Sequence, residues 1–125
     1  MLTSDQTERC NALWRRLYER GAVRWMMGMI TRCGTVVVGA DPLRVHSSVG
    51  SVRVSPADVV PNFNHPATRG CVLAMLREAS ADPRASVVWY RAARQWVADW
   101  QDCEIEAETE PESMLRAIEE AADAK

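Results

Sequence analysis

A zinc site, a phosphate-cradling loop, a serine nucleophile elbow and a membrane span each need a pattern that this sequence does not contain. Its four cysteines, Cys10, Cys33, Cys71 and Cys103, stand 23, 38 and 32 positions apart, and only two histidines accompany them. Without a Cys-x-x-Cys pair the clustered soft ligands of a zinc site are missing, so neither a metal nor another cofactor is expected. Gly-x-x-x-x-Gly-Lys and Gly-x-Gly-x-x-Gly are both absent, which removes the common backbone cradles for phosphate. His46-Ser47-Ser48 lacks the glycines of a nucleophile elbow and has no obvious carboxylate partner. No apolar run reaches the roughly 18–20 residues that cross a bilayer, and the polar start Met-Leu-Thr-Ser-Asp-Gln does not read as a signal peptide. The expectation is a chain in the cytoplasm with reduced thiols and no membrane partner. Lysine is nearly missing too: Lys125 stands alone against fourteen arginines, a bias of coding composition rather than a sign of chemistry.

What is present suits one folded domain. The 125 residues are 47% hydrophobic and 26% charged, ordinary values for a globular chain that buries about two-thirds of its unfolded surface. The net charge of −2 is unevenly spread, with eight arginines against five acids in residues 1–60 and nine acids against Arg116 and Lys125 in residues 101–125. An acidic total argues against general nucleic-acid binding, which needs a basic face.

Periodicity divides the chain into an N-terminal half, 1–62, and a C-terminal half, 63–125, within one compact unit. Thr3-x-x-Gln6 reads as a capping box. Cys10, Leu13, Trp14 and Leu17 follow at helical spacing, and Gly21 closes the helix. Arg9, Arg15, Arg16 and Arg20 lie mostly off that stripe, as a solvated basic side would. Val23–Ile30, Thr35–Gly39, Leu43–His46 and Ser51–Val54 are short β-favouring runs separated by turn residues, which predicts a small antiparallel meander. Met26, Met27 and Met29 beside Trp25 read as gap-filling core residues. Ser55–Asp58 suits a single helical turn, and Pro61–Asn64 a linker.

His65-Pro66 opens the clearest helix, whose apolar stripe is Cys71, Val72, Met75, Leu76 and Ala79. Three strands are then expected over 85–91, 94–100 and 103–109. In the last of these, Glu104, Glu106 and Glu108 alternate with Cys103, Ile105 and Ala107. The rival is a helix from Asp82 onward, because Trp89, Ala93, Trp96 and Trp100 also fit a helical stripe. Thr109 caps a final helix, 112–122, with Met114, Leu115, Ile118 and Ala121 on its inner face. The fold class is therefore α+β: helix, meander, then a helix–three strands–helix unit.

That C-terminal order, with Asn-His-Pro-Ala-Thr-Arg-Gly-Cys-Val-Leu-Ala-Met-Leu-Arg-Glu-Ala over 64–79 and Thr-Glu-Pro-Glu-Ser-Met-Leu-Arg-Ala-Ile-Glu-Glu-Ala over 109–121, resembles the phage ABA-sandwich domain. This family consists of small phage and prophage proteins. The resemblance covers about half of the chain and rests on helix starts and helix faces, with Trp89 and Trp96 where such proteins place strand tryptophans. It departs at His65, where similar phage proteins carry Asp as the helix cap. It implies a fold and a phage or prophage source, but no activity. Double-stranded-RNA-binding domains share the element order, yet their basic helix start and lysine cluster are missing here.

Few residues invite chemistry. Cys71 with His65 is the one conceivable nucleophile–base pair, and Cys71 falls on an apolar stripe where a small core residue is the simpler reading. No catalytic residue is assigned. Trp89, Arg91, Arg94, Trp96 and Trp100 are more interesting: on two paired strands they gather flat rings and forked donors on one surface. Such a group suits a protein hot spot or a nucleotide-like ligand, and equally a core packed under helices. The acidic stripe Glu104, Glu106 and Glu108, extended by Glu110, reads as protection of an exposed edge strand, with imitation of DNA phosphates as the second idea. The expectation is a non-enzymatic accessory protein that binds a protein partner, a host defence component being the first candidate, or self-associates. Capture of a nucleotide-like ligand is the alternative, and weak nucleic-acid binding through the N-terminal arginines the third.

Overall fold

The computed structural model describes residues 1–124. Its elements run α1 (Ser4–Glu19), β1 (Val36–Ala40), β2 (Leu43–Ser47), β3 (Gly50–Arg53), a 3-10 turn at Pro56–Asp58, α2 (Pro66–Ala79), β4 (Ser86–Tyr90), β5 (Gln95–Trp100), β6 (Cys103–Ala107) and α3 (Glu110–Asp123). The expected α+β class is found, with helix, three strands and helix in the C-terminal half. The strands form two antiparallel sheets, β1–β2–β3 and β4–β5–β6.

The helix starts are set by the residues read from sequence. Thr3 Oγ1 accepts from the Gln6 amide at 3.1 Å while Gln6 Oε1 accepts from the Thr3 amide at 2.9 Å, a reciprocal cap that satisfies two N-terminal donors. His65 caps α2 in place of a shorter acceptor, its Nδ1 accepting from the Ala67 amide at 3.1 Å. Thr109 caps α3, which begins two residues earlier than periodicity suggested because Pro111 fits its first turn.

One expected strand is missing. Val23–Ile30 is irregular chain, with Val23, Trp25 and Met29 buried and Met27 turned out to solvent. Gly28, at φ 93°, turns the backbone out of the extended region, and the Met29 amide folds back onto the Met26 carbonyl at 3.1 Å. Only the end of the run reaches the meander, where Met29 and Gly28 exchange backbone hydrogen bonds with Val37. Residues 85–109, by contrast, are strands rather than the rival helix. Val87, Val88, Trp89 and Tyr90 are crowded in a helix and well suited to the unbroken antiparallel register with β5, from Ser86↔Asp99 to Tyr90↔Gln95.

Helix α3 is central. Met114, Leu115, Ala117 and Ile118 are fully buried, with α2 and α1 packed beside it and sheet β4–β5–β6 against it. One hydrophobic cluster joins these residues to Val37, Leu43 and Val45 of the first sheet and to Trp14, Trp25 and Phe63, so the two halves share a core. Trp14 meets Trp25 and Phe63 edge-on, with ring centroids 5.3 and 6.2 Å apart.

The α1 arginines are solvent-exposed, and three of them also pair with carboxylates on or just before α3. Arg9 meets Glu112 and Glu108, Arg16 makes a two-pronged pair with Glu119 at 2.9 Å, and Arg20 reaches Asp123. The pairs Arg9–Glu112, Arg16–Glu119 and Arg20–Asp123 all have a sequence offset of 103. A constant offset over three pairs means that α1 and α3 run parallel in register.

Candidate interaction surface

The hairpin β4–β5 carries the aromatic group. Side chains alternate between sheet faces, so Val87 and Trp89 share a face with Trp96, Ala98 and Trp100, while Val88 and Tyr90 share the other with Val97 and Asp99. On the first face the sheet lies against α3, and Ala98 and Trp100 are buried there. Trp100, only 4% exposed, is therefore a core residue and drops out of any binding surface. Towards the turn the helix cover ends. Trp96 is half-buried and Trp89 is 48% exposed, and the two rings meet edge to face with centroids 5.7 Å apart.

Neither Arg91 nor Arg94 is on a strand, contrary to the expected spans. They are the first and last residues of the four-residue turn Arg91-Ala92-Ala93-Arg94, closed by the Arg94 amide on the Arg91 carbonyl at 3.3 Å. Arg94 takes φ 53°, the left-handed geometry that lets the chain reverse without the glycine that sequence rules would require. Both side chains are exposed, and no carboxylate pairs with either among the described residues. Sequence reasoning missed Val88 and Tyr90, which are 50% and 56% exposed. Beyond Ser86 the run Val-Val-Trp-Tyr has no charged residue to mark a wet face, so only the register shows that Val88 and Tyr90 share the face away from α3.

The acidic stripe is present, but it divides. Glu104 and Glu106 are exposed on β6, on the face shared with Val97 and Asp99, and Glu104 sits directly opposite Asp99. Glu108 turns away to accept from Arg9 at 2.8 Å, so it helps to fasten α1. The outer face thus grades from the apolar groups Val88 and Tyr90 on β4 to carboxylates on β6.

The remaining candidates offer no reactive constellation. Burial pushes the Cys71 thiol up, away from thiolate, while the His65 nitrogen is engaged as a helix cap. Burial raises Cys10 further, to about 11. Cys33 and Cys103 are exposed and unpaired. His46 is exposed on β2, and Ser47 Oγ donates to the Gly50 carbonyl in a turn. Of the methionines, Met29 is core, Met26 partly buried, and Met27 exposed. Among the described residues no group of three or more His, Cys, Asp or Glu is placed to hold a metal ion, and no helix is long and apolar enough to cross a membrane. Comparison with protein-family models, curated proteins and solved structures finds no match to this chain.

Proposed function

We propose that this protein is a non-enzymatic accessory protein that acts by binding a protein partner through the β4–β5 hairpin. The observation that carries the reading is the run Val88, Trp89 and Tyr90. Three consecutive large side chains, directed to alternate faces of one strand, are each about half exposed. Aromatic groups beside arginine are the residue types that dominate binding energy at protein interfaces. Arg91 and Arg94 frame this surface with donors that no carboxylate within the described residues uses. The ligand-capture alternative has less support. Trp89 and Trp96 cross at 61° and leave no parallel slot in which a base would stack.

The resemblance of residues 64–79 and 109–121 to phage ABA-sandwich proteins directs the search for a partner to the host cytoplasm, defence components first. The test is affinity capture from nuclease-treated lysate with the wild type and with Trp89→Ser/Arg94→Ser, alongside native mass spectrometry of the purified protein. A protein retained by the wild type and lost by the variant, with the variant still folded cooperatively at the capture temperature, is the expected result. A partner lost on nuclease treatment, or one retained equally by both proteins, refutes the reading. A small molecule retained in the native spectrum and lost in the variant would replace it with ligand capture.

A further inference from the structure

The sheet β4–β5–β6 has two outer edges, and they are guarded differently. Along β6 stand Glu104 and Glu106, and Arg116 Nη1 donates to the Glu106 carbonyl at 3.0 Å. Charges and side-chain donors of this kind discourage another strand from pairing. β4 has none of them. Ser86–Tyr90 contains no charge and no proline, its register with β5 has no bulge, and β5 is its sole strand neighbour. Among the described residues no side chain bonds to the backbone of Ser86–Tyr90. The nearest such contact, Arg77 Nε to the Ala85 carbonyl at 2.9 Å, stops just before the strand. Alternate residues of β4 therefore direct N–H and C=O groups outward unused.

We propose that the open edge of β4 receives an extended acidic segment of the partner protein as an additional strand. This deepens the protein-binding reading and rests on it. Backbone pairing would supply the register, while Trp89 on one face and Val88 and Tyr90 on the other would contact the segment's alternating side chains. The charge of the segment follows from the charge of the edge. At the turn end of the edge Arg91 and Arg94 are exposed, with no carboxylate paired to them among the described residues. The one acid on either strand, Asp99, lies at the far end opposite Ser86. A second copy is a poor occupant. Its own β4 would bring Arg84 and Arg91 and no acid to the pairing, so it offers no opposite charge to the arginines of the edge. The acidic β6 of a second copy is obstructed at the Glu106 carbonyl by Arg116.

The probe is a capped peptide of about seven residues alternating glutamate and valine, mixed with the full-length protein, with lysine replacing glutamate in the control. Residue-resolved amide hydrogen exchange is the readout. The glutamate peptide is expected to slow exchange at outward-facing β4 amides by at least roughly tenfold, leaving β6 unchanged, and the lysine peptide to have no such effect. Equal protection by both peptides overturns the acidic assignment. Protection that grows with protein concentration alone shows a second copy on the edge and overturns the proposal. Shifts of the Trp89 and Trp96 indole signals without β4 protection show side-chain docking only, which refutes strand addition and leaves the protein-binding reading standing. Absence of any response to the glutamate peptide also refutes strand addition, whereas the reading itself falls only by the affinity-capture result.

Discussion

Two tryptophans of one sheet face, Trp89 and Trp100, make a controlled comparison of surface and core. A tryptophan buries up to roughly 200 Å². At about 25 cal/mol per Å², nearly complete burial of Trp100 contributes roughly 5 kcal/mol, and half burial of Trp89 no more than about half of that. Trp100→Ala also leaves a cavity beneath α3, which places its cost at about 4–5 kcal/mol. Trp89→Ala loses the edge contact with Trp96 but opens no enclosed space, so about 1–2 kcal/mol is expected. In a chain of this length each kcal/mol lowers Tm by about 4 °C, so the two variants should melt roughly 10 °C apart. Urea unfolding followed by far-ultraviolet circular dichroism measures both, free of the fluorescence lost with either ring, and m should remain unchanged. If Trp89→Ala costs as much as Trp100→Ala, Trp89 is a covered core residue. The binding surface would then lose its central side chain.

Four further outcomes are expected. Thr68 Oγ1 accepts from the Ile30 amide and donates to its carbonyl, both at 3.1 Å, so Thr68→Val strands that amide and should cost about 1–3 kcal/mol by urea titration; no loss would show that solvent reaches it. A thiol reagent should modify Cys33 and Cys103 quickly, Cys71 more slowly, and Cys10 only on unfolding; a fast third thiol under native conditions would contradict the burial. Because burial raises Cys10 from 9.0 to about 11, the folded state holds its proton longer than the unfolded state. Stability is then fully present below about pH 9 and falls between pH 9 and 11, a fall that Cys10→Ala should reduce. The Arg16–Glu119 pair should show a favourable coupling in a double-mutant cycle at low salt that shrinks as salt is added; a salt-independent coupling would refute a screened surface pair.

Much of this architecture was legible from local chemistry. Thr3, Gln6 and Thr109 announced helix starts, and the glutamates alternating on β6 announced a strand with one wet face. Val23–Ile30 was misleading because bulky and β-branched residues mark burial against the core as readily as they mark a strand with a partner. The hairpin turn was hidden by Ala92-Ala93, with Arg94 in a conformation usually left to glycine. Trp100 could not be separated from Trp89 by residue type, since the end of the helix cover is a tertiary fact. The α1–α3 pairing did leave a trace: arginines at 9, 16 and 20 repeat the spacing of acids at 112, 119 and 123. A comparison of charge spacing between distant segments would have found it.

That pairing bears on how the molecule is made as well as how it stands. Helix α1 leaves the ribosome well ahead of α3, along which the carboxylates that fasten it are spread as far as Asp123. Synthesis at about 5–20 residues per second separates the two by several seconds. Throughout that interval the apolar stripe of α1 and its arginines wait without their native neighbour. The chain is thus committed to closing its longest loop late, and chaperone contact during translation should concentrate on the first helix.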